Sequence, residues 1–197
     1  VLREGEADLL EFDIVRAKIT IASATGKMLE GDIAYIQVTT FGSNTMPELN
    51  AALNELMPQN PKGIILDLRN NGGGSLGAVV RMSGFFIEKG PIVQVKSRTQ
   101  AADVHSDIDP RVQYDGPLVV MVNSYSASAS EIMAAALQDY GRAVIVGGKS
   151  TFGKATVQRF VDRDRGLPQT YNDVKPLGNV KVTMQKFYRV SGGSNQL

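Results

Sequence analysis

The chain has no cysteine and one histidine in 197 residues. The first absence rules out disulfides, thiolate metal sites and cysteine catalysis, while leaving the compartment open. The second leaves His105 as the sole candidate for a Ser-His-Asp arrangement, and His105 lies in a polar, proline-ended stretch, Gln100 to Pro110, that predicts a loop. A lone histidine also disfavours a histidine-built metal site. No apolar run approaches the roughly 20 residues of a membrane span. Neither sign of charge dominates: the net charge is +1, so nothing points to nucleic acid or a membrane surface. The 43% hydrophobic and 21% charged content is that of a soluble globular chain, long enough for one domain with a full core. No signal peptide is evident, and opening on Val1 rather than Met fits a fragment.

What is present is an alternation of apolar runs and small-residue turns. Ile14–Ala22 and Asp32–Thr40 predict strands. Thr45 and Glu48 have the spacing of a capping box before a helix carrying Leu49, Leu53 and Leu56, which stops before Pro58. Gly63–Leu68, Leu118–Val122 and Ala143–Gly147 are continuous apolar runs, predicting strands buried on both faces. Pro91–Val95, Thr156–Val161 and Val180–Val190 predict further strands. Leu76–Ile87 and Glu131–Tyr140 predict helices. The pattern indicates an α/β layer fold. In such sheets, sites form at the carboxyl ends of strands. The turns Asn70–Ser75, Tyr125–Ser130 and Gly147–Lys154 all follow strands and can converge.

Asn123 to Glu131 carries four serines in seven residues, between a strand-like run and a helix-like run. A serine at a strand-to-helix turn can present its hydroxyl beside the helix's free N–H groups. Ser124 and Ser126 lie in the turn, Ser128 at the helix start, and Ser130 one turn in. Ser128 with Glu131 also reads as a plain capping box, worth about 1 kcal/mol. The neighbouring Ala129 N–H is a candidate oxyanion donor. The glycines Gly72–Gly74 read either as a flexible turn or as a second donor loop. Lys154 is a candidate base, because serine with lysine is an alternative to serine with histidine. A free lysine titrates near pKa 10.4, so such a base needs apolar cover. Phe152, Val157 and Phe160 are the candidates for it. Lys149 is a competitor in a more polar setting.

Leu66–Gly74, Ser126–Ile132, Gln138–Ala143, Phe152–Gln158 and Lys186–Gly193, in this order, resemble the tail-specific or carboxy-terminal processing serine peptidases, the last block resembling their Prc branch. The resemblance runs from about Asp32 to the end. It implies a ClpP/crotonase-like α/β core of buried strands with helices packed on the sheet. It implies a Ser-Lys dyad in which Ser128 matches the nucleophile and Lys154 the general base, with Gln158 orienting the lysine. Ala129 and one of Gly73 or Gly74 match the oxyanion donors, and Asp139 matches a supporting position. Lys154 and Gln158 share a face only if the chain turns helically there. The resemblance implies no metal and no organic cofactor, protein substrates with apolar C-termini, no nucleic acid, and work outside the cytoplasm in a bacterial envelope; it leaves a homo-oligomer open. Residues 1–20 resemble the end of a PDZ domain with a connecting strand, and 21–197 the catalytic core. Ala155 departs from the family's Gly-Lys-Gly, and the Gly147–Thr151 loop is one residue longer than in many members. Two rivals share the fold: a non-catalytic binding module, like the retinoid-binding repeats of the eye, and a crotonase-type acyl-CoA enzyme. Neither has a use for the Ser-Lys pair.

Overall fold

In the computed structural model the chain is described throughout except at Lys18, Thr20, Gln196 and Leu197. Two sheets form, with helices against them. Strand β1 (Ala24–Leu29) pairs antiparallel with β2 (Ile33–Val38), and β2 continues in parallel to β3 (Gly63–Asp67), β6 (Leu118–Val122) and β7 (Val144–Gly147). The second sheet has the order β5 (Asp103–Asp107), β4 (Gly90–Ser97), β9 (Asn179–Tyr188), β8 (Thr156–Asp162), all antiparallel.

Parallel pairing needs crossovers, and the helices supply two of them. Helix α1 (Thr45–Leu56) links β2 to β3, burying Leu49, Leu53 and Leu56. Helix α3 (Ala129–Asp139) links β6 to β7 and packs against helix α2 (Leu76–Ser83), β4 and β7. Residues 129–137 are all buried, so α3 is enclosed around its circumference; all but Ser130 and Glu131 of this span are apolar, as for a helix surrounded by its neighbours. Ser75 caps α2 by accepting the Ala78 N–H at 3.2 Å.

Several expectations need correction. Ile14–Ala22 forms no strand among its described residues; Ile14, Val15, Ile19 and Ile21 are exposed, and Lys18 and Thr20 lie outside the description. Alternation without a neighbouring strand to pair with does not make a strand. The first strand is instead Ala24–Leu29, which has only a weak apolar signal. The Thr45–Glu48 box does not form. Thr45 lies inside α1, where its hydroxyl accepts the Gly42 N–H and donates to the Thr40 carbonyl. Glu48 instead accepts from the Ser23 N–H and hydroxyl and from the Ala24 N–H, pinning the start of β1. Helix α2 ends at Ser83, four residues short of Ile87. Strand β7 is an edge strand with Val144 and Val146 exposed, rather than a buried one. His105 lies on β5, not in a loop, with Nε2 3.3 Å from Asp103 Oδ2.

Candidate active site

The turns after β3, β6 and β7 meet. Asn71, after β3, accepts the Ala127 N–H at 3.0 Å and the Ser130 hydroxyl at 2.8 Å on its backbone carbonyl. Phe152, after β7, donates its N–H to the Ser126 carbonyl at 3.0 Å. The Ser126 hydroxyl donates to the Leu68 carbonyl at 2.8 Å and accepts the Asn123 N–H at 2.9 Å. Asn123 in turn exchanges hydrogen bonds with Asn70. Two of the clustered serines are thus internal ties: Ser126 and Ser130 are buried and their hydroxyls are occupied.

Ser128 differs from them. It sits immediately before α3 with φ 57° and ψ −112°, a conformation that a residue with a Cβ rarely adopts. Strain of this kind costs on the order of 1–3 kcal/mol and persists only where the surroundings impose it. The surroundings here are visible. A Cβ placed on Gly73 would lie 2.7 Å from the Ala127 carbonyl oxygen, 2.7 Å from Ser128 Cβ and 2.9 Å from the Ala129 nitrogen. Only glycine lets the loop approach the serine turn this closely. The Gly73 N–H is donated to Asn71 Oδ1 at 2.9 Å. The N–H groups of Gly74 and Ala129 have no hydrogen-bond partner among the described residues.

Glu131 is buried, and its carboxylate accepts four hydrogen bonds. Oε2 takes the Ser128 N–H at 2.8 Å and the Lys154 N–H at 2.9 Å; Oε1 takes the Thr151 hydroxyl at 2.6 Å and the Gly153 N–H at 2.5 Å. The Ser128–Glu131 cap expected from spacing is therefore present, but it is one quarter of what this side chain does. Sequence reasoning missed the rest. The available signal was an acidic residue inside an otherwise apolar helix, which must be satisfied if buried.

The backbones of Ser128 and Lys154 are adjacent, but their side chains are not joined. Lys154 is exposed, and its amine has no hydrogen bond or ion pair among the described residues. Phe152 and Phe160, expected to cover it, are 64% and 68% exposed, and Val157 is exposed as well. Gln158 lies in extended strand, beyond a register shift at Val157, and donates its amide to Thr183 Oγ1 at 3.4 Å. The helical spacing that would set it beside Lys154 is absent. Asp139 pairs with Arg189 at 2.6 Å, tying the end of α3 to the residue after β9.

Beside the site, Asp67 at the end of β3 accepts from the Tyr35 hydroxyl at 2.6 Å and from the Arg69 N–H and guanidinium. Burial pushes the Asp67 carboxyl up, but the Arg69 and Tyr35 hydrogen bonds outweigh it and hold the group below the usual carboxylate value. A cleft of about 820 Å³ is lined by the 147–153 loop together with Glu131, Ala134, Ile145 and Arg189, but by neither Ser128 nor Lys154. Among the described residues no group of His, Asp or Glu stands together as cation ligands. The Ser128 turn presents N–H donors, which suit developing negative charge rather than a cation.

An α/β core in which a strained serine opens a buried helix, with N–H groups unpartnered among the described residues beside it, has the strand–turn–helix arrangement that serine hydrolases use. The chain belongs to peptidase family S41, whose model matches residues 32–197. It is 46% identical over 191 residues to the tail-specific protease of Haemophilus influenzae, covering 96% of this chain and 26% of that protein. It is 35% identical over 184 residues to the carboxy-terminal processing protease CtpA of Bacillus subtilis, covering 93% of this chain and 37% of that one. Among solved structures, the photosystem II D1 C-terminal processing protease superposes with a TM-score of 0.74 at 32% identity, covering 92% of this chain and 47% of that chain. Mature CPAF, at 15% identity and a TM-score of 0.66, shares the fold. The chain thus spans under half the length of each of these relatives. The expected α/β core with helices packed on its sheet stands, with a second sheet added.

Proposed function

We propose that this chain is the catalytic core of a serine endopeptidase that cuts proteins near apolar C-termini through a Ser128–Lys154 dyad. The observation that carries the reading is the forced backbone of Ser128 at the head of α3, next to the Ala129 N–H, which has no partner among the described residues. Ser128 Oγ would bond to the scissile carbonyl carbon while its proton passes to Lys154 Nζ. The oxyanion would be held by the N–H groups of Ala129 and Gly74. As the C–N bond breaks, Lys154 would return the proton to the departing amine. Water, deprotonated by the same lysine, would then release the acyl group and restore Ser128.

Substrate would supply the missing contact. A bound peptide excludes water from the turn and gives the exposed Lys154 amine a reason to fold over Ser128. Gln158 would help orient Lys154 only by leaving Thr183, whereas Asp139 supports the site from a distance through Arg189. Residues 1–20 would close a PDZ domain. No helix among the described residues is long and apolar enough to cross a membrane. The resemblance to bacterial processing proteases supports work in the cell envelope as the proposed location, which cell fractionation would check.

The test compares wild type, Ser128→Ala and Lys154→Ala on an unstructured protein with an apolar tail. Both variants should lose cleavage while keeping native circular dichroism, and an active-site serine reagent should label only proteins that retain Ser128. Full cleavage by Ser128→Ala would end the reading. Full cleavage by Lys154→Ala would move the base to another group, with Lys149 the first to replace.

A further inference from the structure

Asn71 is wholly buried, and every polar group of the residue is in use. Its Nδ2 donates to the Val38 carbonyl at 2.8 Å, at the end of β2. Its Oδ1 accepts the Gly73 N–H at 2.9 Å. Its own N–H donates to the Leu68 carbonyl, and its carbonyl holds Ala127 and Ser130 of the serine turn. The side chain therefore joins the sheet to the glycine loop, and the main chain joins that loop to the nucleophile.

The next peptide unit is fixed just as tightly. The Gly73 carbonyl accepts the Phe41 N–H at 3.0 Å and the Thr40 hydroxyl at 3.1 Å. In a planar trans peptide the C=O and the following N–H point in opposite directions. Two donors on the Gly73 oxygen thus aim the Gly74 N–H away from Thr40 and Phe41. With the Gly73 N–H taken by Asn71, Gly74 is the glycine whose donor is left for a substrate.

We propose that Asn71 is a positioning residue that selects the oxyanion donor: it occupies the Gly73 N–H and so presets the Gly73–Gly74 peptide for catalysis. The inference rests on the serine-peptidase reading. Truncating the side chain leaves the backbone ties to Ala127 and Ser130 available, so the nucleophile turn can persist.

The experiment measures kcat, KM and the affinity of a peptide boronate, which forms a tetrahedral adduct on serine. The proteins are wild type, Asn71→Ala, Ser128→Ala, and Ser83→Ala, the last removing a buried hydroxyl bond within α2. In Asn71→Ala, kcat and boronate affinity should each fall by about 100-fold, the scale of one lost oxyanion donor, with KM little changed. Ser83→Ala should keep the wild-type kcat. Asn71→Asp gives an independent reading, because a protonated carboxyl can donate to Val38 and accept from Gly73 as the amide does. Its kcat relative to wild type should rise as pH is lowered. An inactive Ser128→Ala beside an Asn71→Ala of wild-type kcat and boronate affinity overturns the Asn71 role alone. An active Ser128→Ala overturns the peptidase reading beneath it. Should Asn71→Ala fail to fold, a pH-independent activity ratio for Asn71→Asp overturns the proposal.

Discussion

Ser128 and Lys154 donate their backbone N–H groups to the same atom, Oε2 of Glu131, at 2.8 and 2.9 Å. The turn after β6 and the loop after β7 are thereby registered on one buried carboxylate, whose other oxygen holds Thr151 and Gly153. Hydrogen bonds to a charged group contribute roughly 1.5–3 kcal/mol each. Glu131→Gln keeps the shape but turns an NH2 toward two donors. It should lower the unfolding free energy by about 3 kcal/mol. It should also reduce cleavage at least about tenfold, equivalent to about 1.4 kcal/mol of barrier. Urea unfolding with an unchanged m-value checks the first outcome. Unaltered stability would show that Glu131 does not clamp the two segments.

Neighbouring glycines should differ sharply. A methyl on Gly73 meets the serine turn at 2.7–2.9 Å, and the residue has φ +102°, whereas a Cβ on Gly72 meets nothing within 4 Å. Gly73→Ala should cost at least about 1–3 kcal/mol from the backbone conformation alone and should abolish cleavage. Gly72→Ala should stay within about 0.5 kcal/mol of wild type. Thermal unfolding and a cleavage assay on both variants decide the matter; equal effects would mean that the close approach at Gly73 is unimportant.

Two buried aspartates should respond to pH in opposite senses. Asp67 is held below its ordinary pKa of 3.8, its hydrogen bonds to Arg69 and Tyr35 outweighing burial. Its stabilisation is complete above that ordinary value and is lost as pH falls through the lower folded-state value. Asp107 is raised, chiefly by burial, and its Oδ2 has no hydrogen-bond partner among the described residues. Its most favourable contribution lies below 3.8 and disappears as pH rises through the raised folded-state value. Asp107→Asn should therefore stabilise the protein at neutral pH, and Asp67→Asn should destabilise it there. Stability measured against pH for both variants tests the signs.

The Asp139–Arg189 pair, with side chains only 15% and 26% exposed, ties α3 to the segment after β9. The Asp109–Arg111 pair is slightly shorter, but its arginine is 84% exposed. Exposure should outweigh distance, because water screens the outer pair. A double-mutant cycle should give a coupling of about 1 kcal/mol or more for Asp139 with Arg189 and a smaller one for the surface pair. The reverse order would refute the structural role given to Asp139.

How legible the molecule is from its sequence depends on the range of the interaction. Gly63–Asp67, Leu118–Val122 and the helix opened by Ser128 are strong local patterns, and they stand where expected. Val144–Gly147 is equally apolar yet exposed, because an apolar run specifies a strand and not whether another layer covers it. Ala24–Leu29 and Asp103–Asp107 are too polar to be noticed and become strands by pairing with β2 and β4. Ser126, Ser128 and Ser130 look alike in the sequence. Two of them are ties and one is strained only because Leu68, Asn71 and Gly73, more than 50 residues away, close on the turn.

The sequence by itself determined the α/β alternation, the family, and the turns that carry the chemistry, since these reside in short runs whose apolar spacing and glycines are local properties. Tertiary structure alone decided that Glu131 anchors two segments, that Asn71 occupies one glycine N–H while the next has no partner among the described residues, and that the Lys154 side chain is exposed. Each of these depends on which polar groups are brought together when distant turns pack. Burial then makes every unmatched donor or acceptor costly, so the contacts are selective, but spacing along the chain does not encode them.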